Sequence, residues 1–164
     1  MDIANIINTS KPMDWLNTLE DEAQKVLFIA LINNGISEER IIDMWLEEYC
    51  KIQESTESVM HQYKRFNFAE HKEKVLDEIV KSVCRNTKYF EDEEQSNLVQ
   101  QGKNAYKYIV TALAGTIGAK YGIEVAIIYP LITLTLSWAT RINIEAWCTC
   151  QGYPCNQEKN DENK

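Results

Sequence analysis

The spacing of apolar residues along the first half of the chain predicts amphipathic helices. From Pro12 to the stop signal that ends at Gly35, apolar residues recur every three to four positions, as on one face of a helix. The residues of this face are Trp15, Leu16, Leu19, Ala23, Val26, Leu27, Ala30 and Leu31. We expect the face to lie on the core, because its burial removes a continuous apolar surface from water.

Two more amphipathic helices are predicted after this one. Ser37 can cap a helix whose apolar residues continue to about Tyr63. A third helix extends from about Phe68 to about Arg85, with apolar residues again on one face. Each of the three can therefore lay one side on a common core.

The other segments lie before, between and after these helices. The acidic run 91–94 suits the positively polarised start of a fourth helix, which continues through Tyr106 into a long apolar stretch. Residues 2–10 are expected to form a short lead-in that docks by its isoleucines. The polar residues 156–164 are expected to be a disordered tail after a single domain, 1–155.

The stretch 108–147 is the most apolar part of the chain. Its charged residues are Lys120, Glu124, Arg141 and Glu145. A segment of this kind has to be covered by the chain's own helices, by a partner or by lipid. Which of the three covers it is the main question about function.

The second half of this stretch fits two kinds of secondary structure. From Ile132 to Trp138, apolar residues alternate with Thr and Ser, as in a half-buried strand, but the same residues also fill a helical face. We favour a helix, because no turn signal follows Leu131 before Trp147 and no other segment offers a partner strand. Pro130 would then either kink the helix or lie in the first turn of a new one.

These elements predict an all-α fold, a bundle of about five or six helices around an apolar C-terminal helix or helical hairpin. Within that helix or hairpin, Ala114, Gly118 and Gly122 lie at i, i+4 and i+8 and would form a smooth stripe for close helix packing. The alternative is that Gly122 ends a helix and the other two are tolerated.

Of the charged residues in this stretch, Glu124 and Arg141 are the ones that we expect the bundle to bury. If both are buried they should be paired, and a hairpin would allow them to pair with one another. A structural ion pair is the main interpretation, and an internal proton or ligand site is the alternative.

The five cysteines are an odd number and are scattered, which favours reduced thiols and a cytoplasmic location over a disulfide framework. The N-terminus also lacks the features of a signal peptide. Cys148, Cys150 and Cys155 could bind zinc with a fourth ligand, but their spacing is not that of a zinc knuckle. We expect no bound metal, and incidental thiols are the simpler interpretation.

Charge and motifs narrow the classes of function. The net charge of −8 argues against nucleic-acid binding, which needs clustered Lys and Arg. The sequence has no Gly-rich phosphate loop, no Glu-x-x-His pair and no recognisable nucleophile constellation. We therefore expect neither an enzyme nor a cofactor.

The expected function is that of a small acidic helical module that binds another protein, as an adaptor, an inhibitor or an immunity-type protein does. The alternative is a membrane-acting or membrane-associated protein that releases the apolar hairpin of residues 108–147. The uncharged run 125–140 would span about 24 Å as a helix, which is short for a hydrocarbon core of about 30 Å. Membrane association is therefore less favoured, and the oligomeric state is left open.

Overall fold

The computed structural model describes residues 3–57, 68–84 and 105–152, which contain eight helices and no strand. The helices are α1 (Ile3–Thr9), α2 (Pro12–Leu16), α3 (Glu22–Asn33), α4 (Glu38–Glu57), α5 (Phe68–Cys84), α6 (Ala105–Tyr121), α7 (Val125–Ile142) and α8 (Ile144–Cys150). The predicted all-α helical bundle is confirmed. The helix count exceeds five or six because short helices occupy both ends and the first long helix is broken.

Helix α7 is the centre of the bundle and contacts α2, α4, α5, α6 and α8. Its middle, residues 130–137, is buried all around the helix. The alternation of apolar and polar residues from Ile132 to Trp138 therefore does not mark a half-buried strand, because Thr133, Thr135 and Ser137 are buried with their apolar neighbours.

Buried hydroxyl groups in α7 use the helix itself or a neighbouring helix as partner. Thr135 Oγ1 donates to the Leu131 carbonyl oxygen at 2.7 Å, and Ser137 Oγ donates to Glu38 Oε1 on α4 at 3.2 Å. Such bonds offset the cost of burying a hydroxyl group. Thr133 Oγ1 has no partner among the residues described.

The predicted hairpin is formed by α6 and α7, and a glycine turn joins them. Gly122 has φ +66°, and the Ile123 N–H donates to the Gly118 carbonyl oxygen at 2.9 Å, which is the Schellman pattern of a helix end. A Cβ on Gly118 would lie 2.8 Å from the Ile123 carbonyl oxygen. Gly118 thus permits a close approach, but to the backbone of the turn rather than to another helix.

The other two residues of the small-residue stripe have different surroundings. Ala114 is fully buried in α6, whereas Gly122 is exposed at the turn. Gly122 therefore has the helix-ending role that the sequence offered as an alternative.

The helix predicted from Pro12 to Asn33 is broken, because Asp21 starts a new helix. Its Oδ1 accepts a hydrogen bond from the Gln24 N–H at 3.1 Å, which caps α3. Before the break, Trp15 and Leu16 are buried on α2. After it, α3 turns most of the predicted apolar face away from the core.

The expectation of reduced thiols is wrong for one pair, because Cys84 at the end of α5 and Cys148 on α8 form a disulfide. The Cα–Cα distance is 5.7 Å, although 64 residues separate the two positions in sequence. Spacing along the chain gives no sign of this pairing, because the packing of α5 against α8 creates it. Cys150 is a free, exposed thiol.

Within residues 3–57, 68–84 and 105–152, no group of three or more His, Cys, Asp or Glu side chains is arranged to hold a metal ion. Cys148 is taken by the disulfide. Cys155, the predicted helix ends at Tyr63 and Arg85, the helix start at 91–94 and the tail 156–164 lie outside the described residues.

One described helix, α7, is long and apolar enough to cross a membrane by length and composition. More than half of that helix is buried in the bundle, and the core helix of a soluble protein passes the same test. Contact with α2, α4 and α6 thus covers most of the apolar surface that raised the membrane alternative.

Candidate functional site

Helix α3 is apolar on two opposite sides. Its inner side carries Phe28, which is 2% exposed and stacks edge to face on Trp45 with ring centroids 6.2 Å apart. The outer side carries Ala23, Val26, Leu27 and Ala30, all exposed, which we call the α3 stripe. Val26 is 58% exposed and Leu27 is 54% exposed.

The α3 stripe has the spacing of a helix face that is built for contact. Its residues lie at i, i+3, i+4 and i+7, so they form one continuous strip over two turns. A surface helix normally needs one apolar side to fold onto its own core, and α3 already has Phe28 for that purpose. The second apolar side is therefore left for something outside the described residues to cover.

A groove of about 600 Å³ opens between α3 and the start of α7, which we call the α3–α7 groove. Its apolar lining includes Leu19, Trp45, Ile127 and Pro130. Gln24 also lines it and lies three positions from Leu27 on α3. Because residues at i and i+3 are neighbours on a helix, the groove borders the flank of the α3 stripe.

Hydrogen bonds fix the walls of the groove. Trp45 Nε1 donates to the Ile127 carbonyl oxygen at 3.4 Å, and Tyr129 Oη donates to the Thr18 carbonyl oxygen at 2.9 Å. Pro130 lies inside α7, in its second turn, and carries no N–H to donate to the Ala126 carbonyl group. The carbonyl oxygen of Ala126, a residue that lines the groove, therefore lacks its usual hydrogen bond within the helix.

Carboxylates are concentrated around this surface. Residues 20–48 carry eight carboxylates against two cations, Lys25 and Arg40, a net charge of −6 in a chain whose total is −8. Glu20 and Asp21 line the groove, whereas no Lys or Arg of the described part of the chain does. With Glu22 in the first turn of α3, the N-terminal end of the α3 stripe and the adjoining groove therefore have an acidic border.

Lys107 on α6 partly neutralises one of these carboxylates. Its Nζ lies 2.6 Å from Glu20 Oε1, and the hydrogen bond and charge of Lys107 hold the pKa of Glu20 below its usual value. Both groups are exposed, so the pair is of the kind that contributes little to stability.

A second cavity, of about 410 Å³, lies next to Glu20 and has polar walls that include Asp14, Tyr106 and Lys107. Burial raises the pKa of Tyr106, and the neighbouring Asp14 carboxylate adds to the effect. Tyr106 also stacks edge to face on Trp15, with centroids 5.1 Å apart. Tyr106 thus connects α6 to α2. The charged groups of the cavity already have partners, since Lys107 pairs with Glu20 and Asp14 accepts from the Lys11 N–H.

The predicted ion pair between Glu124 and Arg141 is not formed. Glu124 is exposed at the start of α7, and Arg141 follows 17 residues later, about 25 Å along the helix axis. Arg141 Nε instead donates to Glu38 Oε1 at 2.5 Å. Both predicted partners belong to one helix rather than to the two arms of a hairpin, so they cannot meet.

Glu38 is the buried charge that the sequence reasoning missed. Its side chain is 3% exposed and accepts hydrogen bonds from Ser137 Oγ and Arg141 Nε. A signal was available, because Glu38 precedes Ile41 and Ile42 by three and four positions and so shares their buried helix face. Neither cavity is lined by Glu38, and its contacts are those of a structural ion pair.

No family model, characterised protein or solved structure matches the chain.

The candidate site therefore rests on geometry and charge. The small residues predicted for close packing, Ala114, Gly118 and Gly122, lie on α6 and its turn rather than on the α3 stripe. The sequence did contain the stripe, since all four of its residues were placed on one helix face. Only the direction of that face was predicted wrongly.

Proposed function

We propose that this protein is a helical module that binds another protein through the α3 stripe and the adjoining α3–α7 groove. The observation that carries the proposal is the outer face of α3, where Val26 and Leu27 are each more than half exposed. Contiguous apolar residues with a polar border are typical of protein interaction surfaces. The groove beside them offers a concave site for a larger side chain of the partner.

The acidic surface around α3 differs in charge from the surface of membrane-binding helices. Such helices carry Lys and Arg on the polar side, which attract anionic lipids. The region that contains α3 has a net charge of −6, and α7 supports the core of the bundle. Protein binding is therefore the function that these observations favour over membrane association.

A cytoplasmic location stays a prediction, and the Cys84–Cys148 disulfide bears against it. Structural disulfides are rare in the reducing cytosol and common in oxidising compartments. Alkylation of free thiols in intact cells, followed by mass spectrometry of the purified protein, measures this directly. Labelled Cys84 and Cys148 would support the cytoplasmic prediction, and unlabelled residues would reject it.

Site-specific photocrosslinking tests the binding function. A benzoylphenylalanine residue replaces Leu27 in one variant and Glu145, exposed on α8, in a matched control. We expect one discrete protein adduct in host cells from position 27 and none from position 145. A Val26→Glu change in the same chain should abolish the adduct, because it places a charge in the middle of the apolar contact.

Two results would reject the proposal. One is adduct formation at position 145 equal to that at position 27, which would indicate random collision. The other is recovery of lipid adducts alone at position 27, which would favour the membrane alternative.

A further inference from the structure

We propose, resting on the binding function above, that the partner is a cationic amphipathic helix of another protein. Its apolar side would cover the α3 stripe, and its Lys or Arg residues would face the carboxylates that border the stripe and the groove. The inference combines three independent features: the concentration of charge, the spacing of the stripe and the composition of the groove.

The charge is local rather than general. Residues 20–48 account for −6 of the chain's −8, and the other 135 residues together carry −2. Lys107 and Arg141, from outside this segment, pair with Glu20 and Glu38, which leaves six carboxylates against Lys25 and Arg40. Glu22, Glu39, Glu47 and Glu48 are all exposed in this region. An electrostatic field of one sign attracts a partner of the opposite sign and rejects like-charged ones.

The geometry of the stripe selects a helix as the form of the partner. Its residues repeat at i, i+3, i+4 and i+7, a strip about 10 Å long on a rod-like surface. Helices pair along such strips by packing apolar residues of one into the spaces of the other. The groove beside the strip can then hold one longer side chain between Trp45 and Pro130.

The groove also favours a side chain that ends in a cation. Its apolar walls suit the methylene stem of Lys or Arg, and Glu20 and Asp21 at its border suit the charged end. Lys107 already pairs with Glu20 from outside the groove, and among the described residues no Lys or Arg lines the groove itself, so Asp21 is the carboxylate left for the partner's cation.

A second copy of the chain fits this surface poorly. Two-fold pairing through the α3 stripe would bring two acidic segments together, which opposes association. The negative potential of this segment attracts a partner of positive charge, whereas it repels a second copy of the chain.

Three labelled peptides of about 14 residues, or four helical turns, test the inference. The first has Leu on one helical side and Lys on the other. The second keeps the Leu positions and replaces Lys with Glu, and the third keeps Lys and replaces Leu with Ser. Binding to the full chain is measured by fluorescence anisotropy.

We expect the Leu/Lys peptide to bind at least about tenfold more tightly than either of the other two. Raising NaCl from about 0.05 M to about 0.5 M should weaken it, since the Debye length shortens. The double change Val26→Ser/Leu27→Ser should weaken binding by about tenfold or more through loss of the apolar contact.

Matched charge variants separate a local field from general attraction. Asp21→Asn/Glu22→Gln removes two carboxylates beside the stripe and keeps a capping side chain at position 21. Glu73→Gln/Glu145→Gln removes two exposed carboxylates from α5 and α8. We expect a loss of affinity of about threefold to tenfold for the first pair and none for the second.

Four results would overturn the inference. Equal loss in both charge variants would mean non-specific attraction, and equal binding of the Leu/Glu peptide would mean that charge does not select the partner. A dimer in sedimentation velocity that Val26→Ser/Leu27→Ser dissociates would identify a second copy as the occupant. If no peptide binds while position 27 still crosslinks to a protein, the inference fails and the binding function stands.

Discussion

The carboxylate of Glu38 is buried between α4 and α7, where Ser137 and Arg141 both donate to it. A buried carboxylate without a partner would carry a large desolvation cost, so these two bonds permit its position at the start of α4. Arg141 is 44% exposed in its side chain, so water still solvates part of the cation. The pair therefore fixes the position of α4 against α7 more than it adds net stability.

Removal of the Glu38 side chain should be costly. Glu38→Ala leaves Ser137 without its acceptor and Arg141 without its partner, so we expect a loss of about 2–3 kcal/mol in the free energy of unfolding. Glu39→Ala, at the exposed neighbouring position, should change it by less than about 0.5 kcal/mol. Urea unfolding measures both, and equal midpoints for the two variants would mean that the ion pair has no structural role.

Two glycines on α6 should respond to alanine in opposite directions. In Gly118→Ala the new Cβ meets the Ile123 carbonyl oxygen at 2.8 Å, so we expect a loss of about 1–3 kcal/mol. A Cβ at Gly115 would have no neighbouring atom within 4 Å, so Gly115→Ala should raise stability by up to about 1 kcal/mol through helix propensity. Thermal melts give the comparison, and a stabilised Gly118→Ala variant would contradict the close approach.

At the scale of the element, α3 should tolerate change on one side and resist it on the other. Phe28→Ala removes a buried ring that stacks on Trp45, and we expect a loss of about 3 kcal/mol. Val26→Ser lies on the opposite, exposed side and should change stability by less than about 0.5 kcal/mol. Similar losses from both variants, measured by urea unfolding, would mean that the α3 stripe is covered in the isolated protein.

The type of each long element could be predicted from the sequence, because it depends on local spacing. The all-α fold and the helix through Ile132 to Trp138 are confirmed, and the helix end at Gly122 is one of the two alternatives that the sequence offers. The ion pairs of these helices reach other elements: Lys120 on α6 pairs with Glu78 on α5, and Arg141 on α7 pairs with Glu38 on α4.

The direction in which a helix faces was harder to predict than its existence. The apolar residues from Trp15 to Leu31 fit one continuous face, so the sequence pattern placed Val26 and Leu27 in the core. Asp21 and Gln24 form a capping arrangement that restarts the helix, and the restart changes which residues face inward. The sequence contains this cap, but the apolar periodicity from Trp15 to Leu31 continues through it and favours one unbroken helix.

Long-range pairings could not be predicted from one sequence. Glu38 and Arg141 are 103 residues apart, and Cys84 and Cys148 are 64 apart. Nothing at either position specifies its partner, because the contacts depend on how α4, α5, α7 and α8 pack together. The same holds for the candidate site. The sequence shows that the residues of the α3 stripe share a helix face, but whether that face is exposed depends on how the whole bundle packs.

At the scale of the whole molecule, the disulfide joins the middle of the chain to its last described helix. Chain entropy for a loop of this length gives a stabilisation of about 4 kcal/mol. We therefore expect a dithiol reductant to lower the urea midpoint of the wild-type protein and to leave that of Cys84→Ala/Cys148→Ala unchanged. Cys150→Ser, at the free exposed thiol, serves as the control and should keep the wild-type response.

The same bond has a mechanical consequence. If the chain is pulled from its two ends, the residues between Cys84 and Cys148 lie in a closed covalent ring and cannot extend. The ring shortens the fully stretched chain by about 230 Å, at up to about 3.6 Å for each of its 64 steps. A motor that threads the polypeptide from either end would reach this ring and would have to draw in two strands side by side. The central helix α7, which lies inside the ring, is thus protected from single-file unfolding until the bond is reduced.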